Sequence, residues 1–167
     1  MYTNNAYLNN STIDRKDKSK PLVITMCGTY KLYTRPKLPT WRPRGRLDFQ
    51  LLYIAAGKAH FHFDNNDEAT IVHAGHMVLY RPKEPQKYEY YAKDQTEVYW
   101  VHFTGNNVTN LLRSYGLTNK KVSSTLQLPC PSFEGTEKHT IFILTLIKKK
   151  KSIRVFMILV DFLLDKI

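Results

Sequence analysis

Short segments of alternating apolar and polar residues follow one another between Pro21 and Phe103, with turn residues between them at spacings of about ten. Gly57 and Gly75 interrupt two of these segments, and Pro82 ends a third. Residues 65–67 have the composition of a hairpin turn. Because the side chains of a strand repeat every second residue, this pattern predicts a β-sandwich or barrel over residues 21–105.

The segment TEVYWVHFTG, residues 96–105, has the sharpest alternation of them all. One face carries Val98, Trp100 and His102, and the opposite face carries Tyr99, Val101 and Phe103. A strand with apolar residues on both faces is buried on both sides. The Trp–His face could then meet a packed core, a metal ion or a ligand, and the sequence leaves these three open.

The hydrophobic period changes after Phe103, so we expect residues 106–167 to form a separate, helical part. Asn106 to Gly116 reads as a short helix with Asn at its start and Gly as its stop. Glu137–Lys150 and Ser152–Ile167 predict two more helices that are apolar all round and need a surface to pack on. Residues 1–20 are polar without periodicity, and we expect a flexible N-terminal arm.

Composition limits the class of protein. The 167 residues suit one domain, and the net charge of +11 favours acidic partners without indicating nucleic acid, because the charges are scattered. Cys27 and Cys130 have no zinc-site spacing, and we expect free thiols in a cytoplasmic protein. The apolar run Phe156 to Leu164 is too short to span a membrane and contains Asp161.

His60 and His62 form an HxH pair, followed by Glu68 and Gly75, an order similar to that of metal-binding cupins. Neutral imidazoles two residues apart on a strand can face one ion. A metal cupin also needs a His on a later returning strand, and residues 81–90 contain none. We therefore expect no metal and no cofactor. With no GxSxG, paired-carboxylate or phosphate-loop motif in the chain, we expect no enzyme activity.

Three fragments in order, RPRGRLDFQLLYIAAGKAHF, AGHMVLYRPKEPQKYEYY and EVYWVHFTG, resemble the N-terminal sensor domain of AraC-type (AraC/XylS family) transcription regulators. The resemblance covers about Pro39 to Leu117. It implies a mainly β fold with C-terminal α structure: a cupin-like (jelly-roll) β-barrel, then a short helix and an antiparallel helix pair used for dimerisation. It also implies a small-molecule effector, often a sugar, and a C-terminal domain with two helix-turn-helix motifs that binds DNA.

The resemblance also implies where the effector binds. The family's arabinose-sensing member holds its sugar with Arg, Tyr, His and Trp side chains; these fall on Arg42, Tyr88, Val98 and Trp100. Valine cannot form the hydrogen bond of that His, and His102 on the same strand face could replace it. The ligand-binding candidates are Arg42, Tyr53, His60, His62, Tyr88, Val98, Trp100 and His102, with Gln50 as a further one.

Structural roles for these residues stay open beside the functional ones. Trp100 could simply fill the core, and Arg42 could cap a turn or pair with Asp48. Tyr88, Tyr90 and Tyr91 cannot all face inward.

No helix-turn-helix pair is visible in the sequence, so we expect this chain to sense an effector and form a homodimer through its C-terminal helices, without itself reading DNA. It could be a truncated product, or one whose reading frame slips near Lys148. From the family, effector binding would lock or release the N-terminal arm. Two alternatives are a metal-dependent cupin enzyme using His60, His62 and Glu68, and a stand-alone carbohydrate-binding module.

Overall fold

The computed structural model describes residues 1–7, 14–63, 67–114 and 125–126. These residues form ten strands and one α-helix. The strands are β1 (Tyr2–Tyr7), β2 (Val23–Lys31), β3 (Lys37–Arg42), β4 (Phe49–Ala56), β5 (Lys58–Phe61), β6 (Thr70–His73), β7 (Met77–Tyr80), β8 (Gln86–Tyr91), β9 (Glu97–Thr104) and β10 (Thr125–Leu126). The helix α1 spans Val108–Ser114, and Ala92–Asp94 form a single 3-10 turn.

The strands make two antiparallel sheets. One has six strands in the order β1-β2-β9-β4-β7-β10, and the other has four in the order β3-β8-β5-β6. Strand β9 lies in the middle of the larger sheet between β2 and β4, and all its residues from Val98 to Thr104 are buried. The prediction of mainly β structure with a doubly buried β9 is therefore confirmed.

The main core lies between the two sheets, because apolar side chains of alternate residues point towards each other there. Leu52 and Ile54 of β4 and Trp100 of β9 come from the larger sheet, and Phe61 and Tyr90 come from the smaller one. Removal of these large side chains from water is the main favourable term for a fold of this kind. The space between the sheets is termed the interior below.

A second, smaller core covers the other face of the six-stranded sheet. Val108 and Leu112 of α1 pack there with Leu79, Val101 and Phe103. The short helix expected after Phe103 is present, at Val108–Ser114. It explains why β9 is apolar on both faces, since one face meets the interior and the other meets α1.

The N-terminus is more regular than the sequence indicates. Residues 2–7, which fall in the expected flexible arm, form β1 and pair with β2 along their whole length. Further along, Asp14 accepts a hydrogen bond from the backbone of Leu47 (2.8 Å), and Asp17 bonds with Thr104. Strand pairing uses backbone groups, so the polar sequence YTNNAY gave no hydrophobic signal of it.

The expected helix pair, Glu137–Lys150 and Ser152–Ile167, lies outside the described residues. Where the structure does describe the chain, it contains no helix long and apolar enough to cross a membrane.

Candidate functional site

Four polar side chains meet in the interior, and we term Arg42, Gln50, Gln86 and Tyr88 the polar cluster. Arg42 Nη1 donates to Gln86 Oε1 at 2.7 Å and lies 3.4 Å from Tyr88 Oη. Gln50 Nε2 donates to Tyr88 Oη at 3.3 Å. Gln50 comes from the six-stranded sheet and the other three come from the four-stranded one, so the cluster links the two sheets.

Five buried polar atoms have no hydrogen-bond partner among the described residues. They are Gln50 Oε1, Gln86 Nε2, Tyr80 Oη, Tyr90 Oη and Trp100 Nε1. Two belong to the polar cluster itself, and all five residues are buried. Each such group destabilises the fold by about 1–3 kcal/mol, so five of them between the two sheets call for an explanation other than packing.

Aromatic rings form the walls around the polar cluster. The ring of Tyr88 lies 6.0 Å from that of Tyr80, 5.4 Å from that of Tyr90 and 5.3 Å from that of Phe61, measured between centroids. Trp100 stacks against Tyr30 at 5.8 Å on the other sheet. Burial raises the pKa of Tyr80 and of Tyr90 far above the ordinary value, so both phenols stay neutral. The surroundings of the polar cluster are therefore mainly apolar, and the hydrogen-bonding atoms of these rings are neutral.

A second network surrounds the carboxylate of Asp48, which has no solvent exposure. Arg46 holds it with two hydrogen bonds, at 2.7 Å and 3.1 Å, and Thr25 donates a third at 3.2 Å. His102 Nδ1 lies 3.4 Å from Asp48 Oδ1. Burial raises the pKa of Asp48, but the hydrogen bonds from His102 and Arg46 outweigh it and lower the pKa to about 2. The partner of Asp48 is thus Arg46, where the sequence had suggested Arg42.

Four of the residues that the sequence analysis selected come together in the interior. Arg42 and Tyr88 share the polar cluster, and the rings of Trp100 and His102 lie 5.2 Å apart. Gln50 connects the two pairs, because it bonds to Tyr88 and stands opposite His102 in the sheet. Burial lowers the pKa of His102, so the ring is neutral at pH 7.

Val98 is also inside, but it packs wholly in the core and its isopropyl group offers no hydrogen bond. The other three selected residues lie elsewhere. His60 is on the outer side of β5, where Nε2 contacts Asp94 Oδ2 at 2.7 Å. His62 follows two residues after His60, so by alternation it lies on the same side as His60. Tyr53 lies on the side of β4 that faces α1, because its neighbours Leu52 and Ile54 face the interior. They are not brought to the polar cluster, because alternate residues of a strand face opposite sides.

The described residues contain no group of three or more His, Cys, Asp and Glu side chains placed to hold a metal ion. The HxH pair that suggested a metal site therefore has no third ligand among them. Asp94 Oδ2 instead lies 2.7 Å from His60 Nε2 on the outer face.

The sequence analysis missed Gln86, Tyr90 and Tyr80, and it did not place Arg46 beside Asp48. Strand β8 contained a usable signal: once Tyr88 is placed inside, Gln86 and Tyr90 must share its face. The pairing of Arg46 with Asp48 had no such signal, because Arg42, Arg44 and Arg46 all lie within reach of Asp48 along the chain.

The family comparison fits an interior that could hold a ligand. A family model described as the AraC-like ligand binding domain matches residues 28–132. The chain belongs to this family. The matched range of this AraC-like ligand binding domain contains the polar cluster, the aromatic rings around it and the five unpaired polar atoms. A search of the curated proteins finds no match.

Solved structures similar to this AraC-like domain are distant. An apo variant of ToxT from Vibrio cholerae is 15% identical, with a TM-score of 0.46, over 83% of this chain and 50% of that one. YhaK from Escherichia coli is 13% identical, with a TM-score of 0.43, over 62% and 45%. A cupin superfamily protein from Desulfitobacterium hafniense is 10% identical, with a TM-score of 0.39, over 62% and 78%. The chain spans about half the length of the ToxT and YhaK structures.

Proposed function

We propose that this domain senses a small, neutral, hydroxyl-rich effector, such as a sugar, for an AraC-type transcription regulator. The effector would bind in the interior, beside the polar cluster. The observation that carries the proposal is the set of five buried polar atoms without partners in a domain of a ligand-binding family. A ligand that paired with them would remove the penalty that they impose on the empty fold.

The kinds of atom that lack partners support a neutral ligand. Gln50 Oε1 accepts hydrogen bonds, while Gln86 Nε2 and Trp100 Nε1 donate them. Tyr80 and Tyr90 hydroxyls can do either. Hydroxyl groups match such a mixed set, because each hydroxyl both donates and accepts. The rings of Trp100 and Tyr88 suit the C–H face of a sugar, which packs against aromatic surfaces.

The nearby cations support the same choice. Arg46 is engaged by Asp48 through two hydrogen bonds, and the charge of that pair is balanced. Arg42 donates to Gln86 and Tyr88, and its side chain is only partly buried. A carboxylate ligand would have to compete for Arg42 and would meet no other free cation of the two networks. We therefore place neutral sugars ahead of sugar acids.

The regulatory part of the proposal follows the family. Effector binding would bias the N-terminal segment between two arrangements, which requires a different affinity of the effector for each. Homodimerisation would use the helices of residues 106–167, and DNA would be bound by a separate helix-turn-helix domain of the regulator. The proposed location is the cytoplasm.

A metal-dependent cupin enzyme is the weaker candidate. It would need His60, His62 and Glu68 on one ion, but His60 contacts Asp94 on the outer side of the four-stranded sheet. The unpaired polar atoms of the interior belong to amides, phenols and an indole, none of which is a common metal ligand, and His102 and the carboxylate of Asp48 contact each other while Arg46 holds that carboxylate. We therefore propose a binding role without catalysis.

Thermal shift measurements test the proposal. The purified chain is screened against neutral monosaccharides, disaccharides and sugar acids, each with chelator and with added divalent metal. A ligand that binds only the folded state stabilises it by about 2.7 kcal/mol at a hundred times its Kd, which raises Tm by several degrees. We expect a rise with a neutral sugar that chelator does not change.

Two substitutions on neighbouring residues provide the matched control. Tyr90→Phe removes an unpaired hydroxyl from the interior, whereas Tyr91→Phe removes a hydroxyl that bonds to Glu89 on the outer face of the same strand. The sugar-induced rise should shrink in the first variant and persist in the second. A rise that requires metal and disappears in His60→Ala would support the enzyme instead, and no rise with any sugar would refute sugar sensing.

A further inference from the structure

The N-terminal strand reaches the interior beside Trp100. Asn5 of β1 stands opposite Gly28 of β2, and Gly28 stands opposite Trp100 of β9. The next residue in this row is Leu52 of β4, which faces the interior as Trp100 does. Residues in register across a sheet share a face, so Asn5 also lies on the interior face and its neighbour Asn4 on the opposite one.

Gly28 allows its neighbours to approach closely in this row. A Cβ atom at this position would lie 2.7 Å from Cζ2 of Trp100 and 2.6 Å from the backbone oxygen of Asn4, and closer still to Oδ1 of Asn5. No real side chain fits there. The side-chain oxygen of Asn5 and the edge of the indole ring are thus neighbours above Gly28.

The two groups above Gly28 are complementary. In the indole ring, Nε1 is attached to the carbon that also bears Cζ2, so the N–H group belongs to the ring edge next to Gly28. Trp100 Nε1 is buried, can only donate and has no partner among the described residues, Asn5 included. Asn5 Oδ1 is an acceptor on an exposed residue. A ligand hydroxyl that reaches both groups can accept from Nε1 and donate to Oδ1 at once.

We propose that Asn5 and Trp100 Nε1 together recognise one hydroxyl group of a neutral effector, which makes Asn5 a specificity-determining residue. This inference rests on the proposed function and adds a contact from the N-terminal strand. A carboxylate or keto oxygen at the same place would accept from Trp100 but has no proton for Asn5. A deoxy analogue would satisfy neither group, and sites built to bind a hydroxyl reject such analogues strongly.

NMR of the indole N–H groups provides the test. The chain has two tryptophans, and Trp41 is 61% exposed on the outer face, so its signal serves as an internal reference. The 15N-labelled chain is titrated with a panel of neutral monosaccharides and their deoxy analogues. In the wild type, we expect a monosaccharide to shift the Trp100 signal and leave that of Trp41 in place.

Three variants then isolate the side chain of Asn5. Asn5→Ala should weaken binding of that monosaccharide by up to about tenfold, because one lost hydrogen bond costs roughly 1 kcal/mol. Asn5→Asp keeps an acceptor at the same place and should retain binding. Asn4→Ala changes the same residue type on the opposite face and should bind within about twofold of the wild type.

Other results of these titrations would contradict the role of Asn5, and they can be told apart. Wild-type affinity in Asn5→Ala, with weaker binding in Tyr90→Phe, would overturn the role of Asn5 and leave the proposed function standing. Equal losses in Asn5→Ala and Asn4→Ala would assign the effect to docking of β1 and overturn the role of the amide. No shift of the Trp100 signal with any monosaccharide would overturn both proposals.

Discussion

Polar side chains on the two faces of β8 differ in whether they have hydrogen-bond partners. Gln86, Tyr88 and Tyr90 point inward and are buried, while Lys87, Glu89 and Tyr91 alternate with them on the outside. Inside, Gln86 Nε2 and Tyr90 Oη have no partner within the described chain. Outside, Glu89 pairs with Lys37 at 2.7 Å and accepts a hydrogen bond from Tyr91.

This difference runs against what stability alone would favour. Water can solvate the outer groups, so their mutual contacts add little, whereas an unpaired group inside loses its water without compensation. A fold selected only for stability would place Leu or Phe where Gln86 and Tyr90 stand. Exceptions of this kind concentrate at functional sites, which is why the proposed ligand site lies on the inner face.

The largest effect is expected for Asp48, an interior polar group that does have partners. Asp48→Ala should lower the free energy of unfolding by about 3–5 kcal/mol, because it leaves Arg46 without its buried counter-ion. Urea denaturation monitored by circular dichroism measures the loss. Asp67→Ala, which removes an exposed carboxylate, should leave the denaturation midpoint unchanged. A loss below about 1 kcal/mol for Asp48→Ala would mean that the buried network stabilises no more than a surface pair.

The same network predicts how stability depends on pH. The pKa of Asp48 is lowered from 3.8 to about 2 in the fold, so its contribution of about 2 kcal/mol is present above pH 3.8 and is lost as the pH falls towards 2. The pKa of His102 is lowered from 6.5, chiefly by burial. As the pH falls below 6.5, the unfolded state therefore takes up a proton on His102 before the folded state does, and stability falls. Acidification thus lowers stability twice, first in the histidine range and then in the range of Asp48.

Urea midpoints measured from about pH 7 down to about pH 3 test this dependence. We expect a shallow decline that begins near the histidine range and a steeper one in the carboxylate range. In Asp48→Asn the steeper decline should flatten, since the amide does not titrate. A variant curve parallel to the wild type throughout would show that other carboxylates are responsible.

The inner face offers a prediction of the opposite sign. Tyr90→Phe removes a buried hydroxyl without a described partner and keeps the ring, so the free chain should become more stable by about 1 kcal/mol. Tyr91→Phe removes a hydroxyl that bonds to Glu89 on the outside and should change stability little. Thermal denaturation of the three proteins without ligand measures both. A clear loss of stability in Tyr90→Phe would mean that its hydroxyl is satisfied in the free protein.

The sequence could predict the features that depend on residues close together in the chain, and it could not predict those that depend on distant residues. The period of two made β9 and its two faces readable, because local alternation alone decides which way Trp100 and His102 point. It could not show that His60 lies outside: HxH pairs point to one side of a strand, but which side depends on how β5 packs. The resemblance to the family singled out Arg42, Tyr88 and Trp100 as candidates, which periodicity alone would have left among many aromatic and basic residues.

Contacts between distant segments were beyond sequence reasoning for a physical reason. The row from Asn5 through Gly28 to Trp100 depends on the register of three strands far apart in the chain. Nothing in YTNNAY marks it as a strand, since it pairs through backbone groups at the edge of the sheet. Gly28 gave a hint only in hindsight, because a glycine inside a strand often marks a close approach of other groups.

The smallest expected effect belongs to the outer face. Lys37→Ala breaks the pair with Glu89, but the side chain of Lys37 is 43% exposed, so the loss of stability should be much smaller than that in Asp48→Ala. Because salt screens exposed charges, that loss should shrink further in about 1 M NaCl. The loss in Asp48→Ala should persist in the same salt, since Asp48 and Arg46 are shielded from ions. Urea denaturation of both variants at low and high salt measures the contrast. A salt-sensitive effect of Asp48→Ala would place that carboxylate in contact with solvent and remove the distinction between the two faces on which the assignment of the ligand site depends.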